Sequence, residues 1–165
     1  MAYDVFMKVD GIDGESTDDA HAGWIELLSF SHGVSQPSAG AASSGGGRHG
    51  QRVDVQEFTV VKSVDKASPK LFLACCKGDH ISEILVELCR ATGDKTKYME
   101  YKLTDVVVSS VRPGGSANGG ESLPLEEVSF NPGRIDYTYT ETDHNTGAAK
   151  GDVTAYWDQT KNVGG

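Results

Sequence analysis

The chain has 165 residues, of which 38% are hydrophobic and 8% aromatic, and this is enough for one folded domain around one core. Its formal net charge of −9 at pH 7 repels phosphate, so nucleic acid is not an expected partner. Direct membrane insertion is not expected either, because no polybasic segment occurs and no apolar run approaches the ~20 residues of a membrane span. These properties predict a single acidic domain over residues 1–165.

The N-terminus and the cysteines indicate a chain that is made in a reducing compartment. The opening residues, MAYDVFMKVDG, lack the positively charged region and the apolar core of a secretory signal peptide. The cysteines are odd in number and lie in or beside apolar stretches. Buried free thiols in the cytoplasm are therefore expected at Cys75, Cys76 and Cys89.

The first half of the chain alternates between predicted strands and polar loops. Tyr3–Val9 alternates apolar and polar residues, which predicts a first strand. Residues 24–31 are apolar on both faces, which predicts a strand that is covered on both sides. Residues 53–64 predict another long strand. Its apolar residues change from odd to even positions between Val55 and Phe58, which indicates a β-bulge.

Residues 36–50 form a glycine-rich and serine-rich stretch without hydrophobic periodicity. Loops of this length inside a compact domain are usually either functional or disordered. The run Gly45, Gly46 and Gly47 is not typical of a phosphate-binding loop, because no Lys-Ser/Thr pair follows it and no helix is expected to start there. The residues alone favour a solvated surface loop.

The sequence predicts one helix, which begins near Ser68. The Ser68 hydroxyl is expected to cap its N-terminus, and Pro69 suits the first helical position, where no amide hydrogen bond is lost. Gly78 is expected to provide a left-handed C-terminal cap. The apolar face of this helix is expected to consist of Leu71, Phe72 and Cys75.

The second half of the chain is predicted to be mostly strand. An amphipathic strand follows the helix up to Arg90, and residues 98–111 predict a long, β-branched strand. Residues 123–130 and 134–143 predict a hairpin whose turn is Asn131, Pro132 and Gly133. Residues 145–152 predict a loop, and residues 153–157 a last short strand. The expected fold is mainly β: a small barrel or closed sandwich of about eight strands, with one short flanking helix and a long extended loop.

No catalytic or metal-binding pattern is complete in this sequence. The five histidines are scattered without a pair at i,i+4 spacing or a Cys-x-x-Cys partner, so exposed or loop histidines are expected rather than a zinc site. No Gly-x-Ser-x-Gly elbow is present for a serine nucleophile. Glu126 and Glu127 are adjacent and face opposite sides of a strand, so they cannot act as a catalytic pair. We therefore expect no enzymatic activity and no cofactor.

Short motifs follow one another along the whole chain in an order that is typical of one family. They are GES at residues 14–16, His21, WIEL at 24–27, SFS at 29–31, SPKL at 68–71, EY at 100–101, VSSV at 108–111, EVSF at 127–130, IDY at 135–137 and WDQTKN at 157–162. In type and order they resemble the haemolysin-coregulated protein (Hcp) family of type VI secretion. This chain has His32 where many members of the family have an aromatic residue.

The resemblance implies a β-barrel with one flanking helix and an extended loop, and it implies a function that the residues alone do not give. Members form six-membered rings that stack into the inner tube of a contractile injection machine. The implied partners are further copies of the chain, the sheath and spike proteins of the machine, and small effector proteins in the ring lumen. Such proteins stay in the cytoplasm until the machine exports them, which agrees with the missing signal peptide.

The resemblance also changes the interpretation of residues 36–50, because an extended loop can cross from one ring to the next. The candidate residues for ring stacking are Ser38, Ser43, Gly45, Gly46, Gly47, Arg48 and His49. Two other classes remain as alternatives: a small β-barrel module that binds a ligand inside, and a secreted enzyme. An enzyme would need a further domain, for which the chain has no room.

Overall fold

The described part of the chain consists mostly of antiparallel strands. The computed structural model describes residues 2–39, 49–91, 93–120 and 122–165. In chain order the elements are β1 (Tyr3–Val9), β2 (Ile25–Leu27), β3 (Ser29–Ser31), β4 (Val34–Ser35), β5 (Ser38–Ala39), β6 (His49–Gly50), β7 (Asp54–Val55), β8 (Phe58–Ser63), α1 (Ser68–Lys77), β9 (His80–Arg90), β10 (Lys97–Gly114), β11 (Leu125–Thr142), β12 (Ala149–Asp158) and β13 (Val163–Gly164). The predicted mainly-β class with one short helix is confirmed.

Nine of these strands belong to one sheet that curls around the core. Seven strands follow the order β13-β12-β11-β10-β9-β1-β2, and β8 pairs with both β11 and β3. Only Leu28 separates β2 from β3 in the chain, and its backbone N donates to Val61 O of β8 at 2.8 Å. Within the described residues β2 and β3 share no ladder. The curled sheet is therefore not a continuous closed barrel.

The core lies between the curled sheet and one face of α1. Leu71 and Ala74 of the helix are buried, whereas Phe72 is 60% exposed. The predicted apolar face was therefore wrong for Phe72, because the buried positions Ala67, Leu71 and Ala74 already follow the i, i+4, i+7 spacing of one helix face. No helix in the described ranges has the length and apolarity needed to cross a membrane. The large side chains that fill the interior include Met7, Ile25, Phe58, Ile84, Leu103 and Phe130.

The cysteines are not all buried, contrary to the prediction. Cys89 on β9 is buried, Cys75 on α1 is partly buried, and Cys76 is exposed. Successive residues of a helix point about 100° apart, so Cys76 turns away from the core that Cys75 touches. Only Cys89 therefore agrees fully with the expectation of a buried thiol.

The start of the helix also differs from the prediction. The N-cap residue is Ala67, which makes no side-chain capping bond, and Ser68 is already helical. The Ser68 hydroxyl instead accepts a hydrogen bond from Asp65 N (3.0 Å) and donates one to Glu126 Oε2 (2.6 Å). Gly78 has the expected left-handed conformation, with φ of 67°.

The predicted hairpin turn is wrong, because Asn131, Pro132 and Gly133 lie inside β11. One edge of this strand pairs with β8 up to Phe130 and with β12 from Arg134 onwards. Pro132 O accepts from Gln159 Nε2 at 2.7 Å, so the proline nitrogen faces the same gap between the two partner strands. No ladder bond is lost there, and proline is tolerated in the strand.

Two predicted strands are each divided in the structure. Residues 24–31 form β2 and β3, and Leu28 between them is 62% exposed, so the segment is not covered on both faces. Residues 53–64 form two strands, β7 and β8. The change in the apolar pattern between them is not a bulge, because β7 pairs with β4 outside the main sheet and only β8 belongs to that sheet. Strand β10 extends beyond its predicted end at residue 111 to Gly114, and the predicted loop of residues 145–152 is shortened because β12 begins at Ala149.

Candidate functional site

An arm made of two short ladders leaves the main sheet between β3 and β8. Strand β4 pairs with β7, and β5 pairs with β6, so the two sides of the arm run antiparallel. In the second ladder Ser38 lies opposite Gly50, and Ala39 lies opposite His49. The structure therefore brings Ser38 and His49 together on the arm. The other candidate stacking residues lie outside the described residues: Ser43, Gly45, Gly46, Gly47 and Arg48.

Polar contacts hold the arm together and tie it to the C-terminal region. Gln51 N donates to Pro37 O (3.3 Å), and Gln36 Nε2 donates to Gln51 O. Arg52 Nη2 donates to Gln159 O at 2.8 Å, between β12 and β13. These bonds cross the arm and reach the main sheet, so its base has a defined direction relative to the core.

An aromatic cluster lies at the base of the arm. The ring of Phe58 lies 5.9 Å from that of Phe30, 5.6 Å from that of His32 and 5.2 Å from that of Tyr101. Tyr101 also stacks on Tyr137, with 4.7 Å between the ring centroids. Burial, and then the neighbouring Tyr137, raises the pKa of Tyr101 to about 12. The cluster anchors the arm by packing and keeps the Tyr101 hydroxyl protonated.

His32 fills an aromatic position in this cluster but brings polar nitrogens with it. Its Nδ1 is buried and has no hydrogen-bond partner among the residues that the structure describes. Burial lowers the pKa of His32 below the ordinary value of 6.5. The ring therefore packs as a neutral aromatic group at pH 7, at the cost of one unpaired nitrogen.

A second candidate surface is the outer part of β10, β11 and β12. On the face that continues from the core residues Leu103 and Ile135, the exposed fractions are 41% for Tyr137, 45% for Tyr139 and 70% for Val153. The other face of these strands is polar and includes Asp136, Thr138, Asp152 and Thr154. We call the first surface the open apolar face, and by register it consists of Met99, Tyr101, Tyr137, Tyr139, Val153 and Ala155.

The open apolar face has the properties of an assembly surface. Its side chains extend the pattern of the core beyond the part that α1 and the other strands cover. Singly exposed apolar residues are common on proteins, but a contiguous patch of apolar and aromatic residues usually marks a contact with another molecule. The sequence showed only the alternation of Tyr137 and Tyr139, not that both remain uncovered.

A buried charged cluster lies between β8, β11 and the start of α1. Lys62 is fully buried, and its Nζ lies 2.8 Å from Glu126 Oε2, 2.9 Å from Asp65 Oδ1 and 3.2 Å from Ser68 Oγ. The register places Lys62 directly opposite Glu126. The sequence analysis did not identify this cluster, although both residues occupy alternating positions that are otherwise apolar in their strands. Its contacts are all internal, and they join β8, β11 and the start of α1.

His21 lies in a loop, which is one of the two settings expected for the histidines, but it is buried there. Its Nδ1 lies 2.9 Å from Asp18 Oδ2, and its Nε2 lies 2.7 Å from Glu87 Oε2. The ring stacks on Phe6 with 4.2 Å between centroids. The Lys95 ammonium, and then His21, hold the pKa of Asp18 at about 2. His21 therefore ties the loop of residues 10–24 to β9 through a polar contact that is shielded from water.

Known proteins resemble this chain over nearly its whole length. The family model described as "Type VI secretion system effector, Hcp" matches residues 6–139. Protein hcp1 of Pseudomonas aeruginosa is 35% identical over 164 residues, which cover 99% of each chain. A solved structure of a type six secretion system protein has a TM-score of 0.92 at 34% identity, and covers 99% of this chain and 100% of that chain. Hcp1 from Salmonella typhimurium has a TM-score of 0.81 at 35% identity, with 99% of both chains covered.

Proposed function

Because the chain belongs to the Hcp family of type VI secretion proteins, we propose that it assembles into six-membered rings whose stacks form the inner tube of the secretion machine. The observation that supports ring formation is the open apolar face, where Val153 is 70% exposed although its strand continues the face of the core. A second copy that covers this face removes it from water. A head-to-tail contact of this kind closes into a ring when its rotation is a whole fraction of a turn.

The energy available at such a contact is large enough to decide the assembly state. Full burial of a side chain such as Val153 contributes on the order of 1.5–3 kcal/mol, and the open apolar face offers several such side chains. Association costs several kcal/mol in lost motion, so a single contact between two copies is weak. A closed ring has as many contacts as subunits, which favours the complete ring over open fragments.

We assign the stacking of rings to the arm. Its two ladders pair residues 34–39 with residues 49–55 outside the main sheet, and the aromatic cluster fixes its base. Each ring would present six arms to its neighbour, so a weak contact on one arm is multiplied sixfold. The seven candidate stacking residues lie on the described part of the arm or between its two sides in the sequence.

The same proposal includes the remaining steps of secretion. The chain would fold in the cytoplasm, carry small effector proteins in the ring lumen, contact the sheath and spike proteins, and leave the cell through the machine without a signal peptide. Family membership supports these steps. The role is structural rather than enzymatic.

Ring formation is tested by placing a charge on the open apolar face. In light scattering coupled to gel filtration, the unchanged chain should have the mass of six 17.6 kDa copies, roughly 106 kDa. Val153→Glu should elute as a folded monomer, because closing the ring would bury an unpaired carboxylate. The matched control is Thr154→Glu, which places the same charge at the next position on the polar face and should remain a ring. A monomeric unchanged chain, or a Val153→Glu variant of ring mass, would contradict the proposal.

Stacking is tested separately by removing residues 43–47. The shortened protein should keep the ring mass and the thermal unfolding of the unchanged chain, because the arm contributes little to the core, but electron microscopy should show no tubes. The control is deletion of residues 116–120, a similarly glycine-rich and exposed segment, which should leave the tubes intact. Normal tubes from the shortened arm would show that the arm does not stack rings. Loss of tubes in both variants would remove the specific assignment to the arm.

A further inference from the structure

Three side chains with metal-binding atoms meet on the outer face of β9. Glu87 and Cys89 are two positions apart, so both point away from the core residues Val86 and Leu88. His21 reaches them from the loop of residues 10–24, and its Nε2 lies 2.7 Å from Glu87 Oε2 and 3.9 Å from Cys89 Sγ. All three ligand atoms lie within 4.8 Å of one another. His21 and Cys89 are buried and Glu87 is partly buried, so the group differs from the exposed carboxylates that are common on surfaces.

We propose that His21, Glu87 and Cys89 bind a divalent transition-metal ion, and that Zn²⁺ is the ion that suits them best. Imidazole, carboxylate and thiolate are the three protein ligand types that zinc takes. A tetrahedral ion with usual bond lengths places sulfur and nitrogen about 3.6 Å apart, close to the observed 3.9 Å. The 2.7 Å contact between His21 and Glu87 has to open by about 0.6 Å for the ion to enter. Three protein ligands leave a fourth position for water.

Asp18 prepares His21 for this role. Its Oδ2 accepts a hydrogen bond from His21 Nδ1 at 2.9 Å, which leaves Nε2 as the ligand atom. A carboxylate behind a histidine is the usual second partner in metal sites, because it fixes the ring and makes the ligand nitrogen more basic. Asp18 is itself held by Lys95 Nζ at 2.7 Å. Phe6 and Trp24 restrict the ring further by stacking and edge contacts.

Metal binding at this site releases protons, because only unprotonated atoms act as ligands. Burial raises the pKa of the Cys89 thiol to about 11, so the thiol keeps its proton without metal and gives it up when the ion binds. The bound ion would join the loop of residues 10–24 to β9. It would therefore stabilise the fold, independently of how the chain assembles.

The test uses the full chain without a histidine tag, freed of metal by a chelator. Calorimetric titration with zinc chloride should show one ion bound per chain and a higher melting temperature. Cobalt(II) should show tetrahedral d–d bands and a thiolate-to-metal charge-transfer band. Cys89→Ser should lose the charge-transfer band and weaken binding at least tenfold. The control Cys75→Ser/Cys76→Ser removes the other two thiols and should bind as the unchanged chain does.

Glu87→Gln provides a second variant, because its amide can keep a hydrogen bond to His21 while offering a poorer ligand. It should fold normally and bind zinc about tenfold or more weakly. Absence of stoichiometric binding in the unchanged chain would overturn the proposal, and His21 would then be a purely structural histidine. Equal binding by Cys89→Ser and the unchanged chain, or loss of binding only in the Cys75→Ser/Cys76→Ser control, would overturn it as well.

Discussion

At the scale of single residues, Lys62 is a fully buried charged side chain whose ammonium lies 2.8 Å from the Glu126 carboxylate. Lys62→Met should destabilise the chain by about 3–5 kcal/mol, because it leaves the Glu126 carboxylate buried without its partner. Lys62→Met/Glu126→Leu should recover most of that loss, since apolar residues of similar volume can replace a buried pair at little cost. Urea denaturation measures both variants. A double variant that is less stable than Lys62→Met would contradict this account.

His32 makes the stability of the chain dependent on pH. Its pKa is below 6.5 in the folded chain and close to 6.5 when unfolded, so the unfolded chain binds the proton more readily. The stabilisation due to neutral His32 is complete above about pH 6.5 and is lost as the pH falls from there through the folded pKa. His32→Phe should remove this loss and add about 1 kcal/mol at neutral pH, because no nitrogen is left unpaired.

The measurement is the difference in melting temperature between His32→Phe and the unchanged chain, followed from about pH 7.5 down to about pH 5. This difference should grow as the pH falls. His144→Gln, which changes an exposed histidine, serves as the control and should track the unchanged chain. A difference that stays constant with pH would show that His32 does not titrate in this range.

Residues can be predicted to face inwards, but their partners cannot be predicted from the sequence. Lys62 and Glu126 lie on the same strand faces as the buried apolar residues, so the alternation alone would have indicated that both are buried. The pairing of His21 with Glu87 spans 66 positions of the chain and depends on how the loop of residues 10–24 folds over β9. Local patterns contain no information on that contact, so the sequence allowed a loop position for His21 but did not indicate its burial.

At the scale of elements, the loop before β2 depends on a glycine with almost no free space. A Cβ at Gly14 would lie 2.4 Å from Trp24 O and 2.7 Å from Ile25 Cα, and both are backbone atoms. Gly14→Ala should therefore destabilise the chain by about 3 kcal/mol, the upper part of the range for overpacking. Thermal unfolding should show the loss. Gly120→Ala is the control, because its Cβ meets nothing within 4 Å among the described residues, and stability should be unchanged. Equal stability of the two variants would contradict the close approach.

Strands with simple alternation were predicted well, and strands that change partners were not. β1 and β9 each alternate between apolar and polar residues, as the sequence indicated, and they pair with each other in a regular register. The segment of residues 131–133 resembles a turn because Pro and Gly are the usual turn residues. Its extended conformation results from pairing with β10, β8 and β12, which are distant in the sequence. Such tertiary pairing overrides the local preference.

At the scale of the whole molecule, the net charge should control how rings meet. A ring of six copies would carry about six times −9, so neighbouring rings repel each other. Raising the salt concentration from about 0.01 M to about 0.1 M shortens the screening length from about 30 Å to about 10 Å. Tube yield, measured by sedimentation and electron microscopy, should therefore rise over this interval. A yield that falls steadily from the lowest salt would show that attraction between charges dominates the contact.

The open apolar face was the part of the molecule that the sequence predicted least. Alternation at Tyr137 and Tyr139 predicts a strand with one apolar face, but not what covers that face. Coverage depends on where the sheet stops curling and where α1 ends, which only the complete fold determines. The family resemblance supplied the expectation of a ring, and the uncovered face supplied a surface for it.

Strands β10 and β11 have 18 residues each, and both run from the core into the open apolar face. At about 3.3 Å per residue, each strand has a contour length of roughly 60 Å, which follows the curl of the sheet and includes one irregularity between Val108 and Ser110. A force along the two strands acts on their interstrand hydrogen bonds in shear, so that many must fail together, whereas a peeling force would break them one after another. The chain should therefore resist a load along these strands more strongly than a load that separates them.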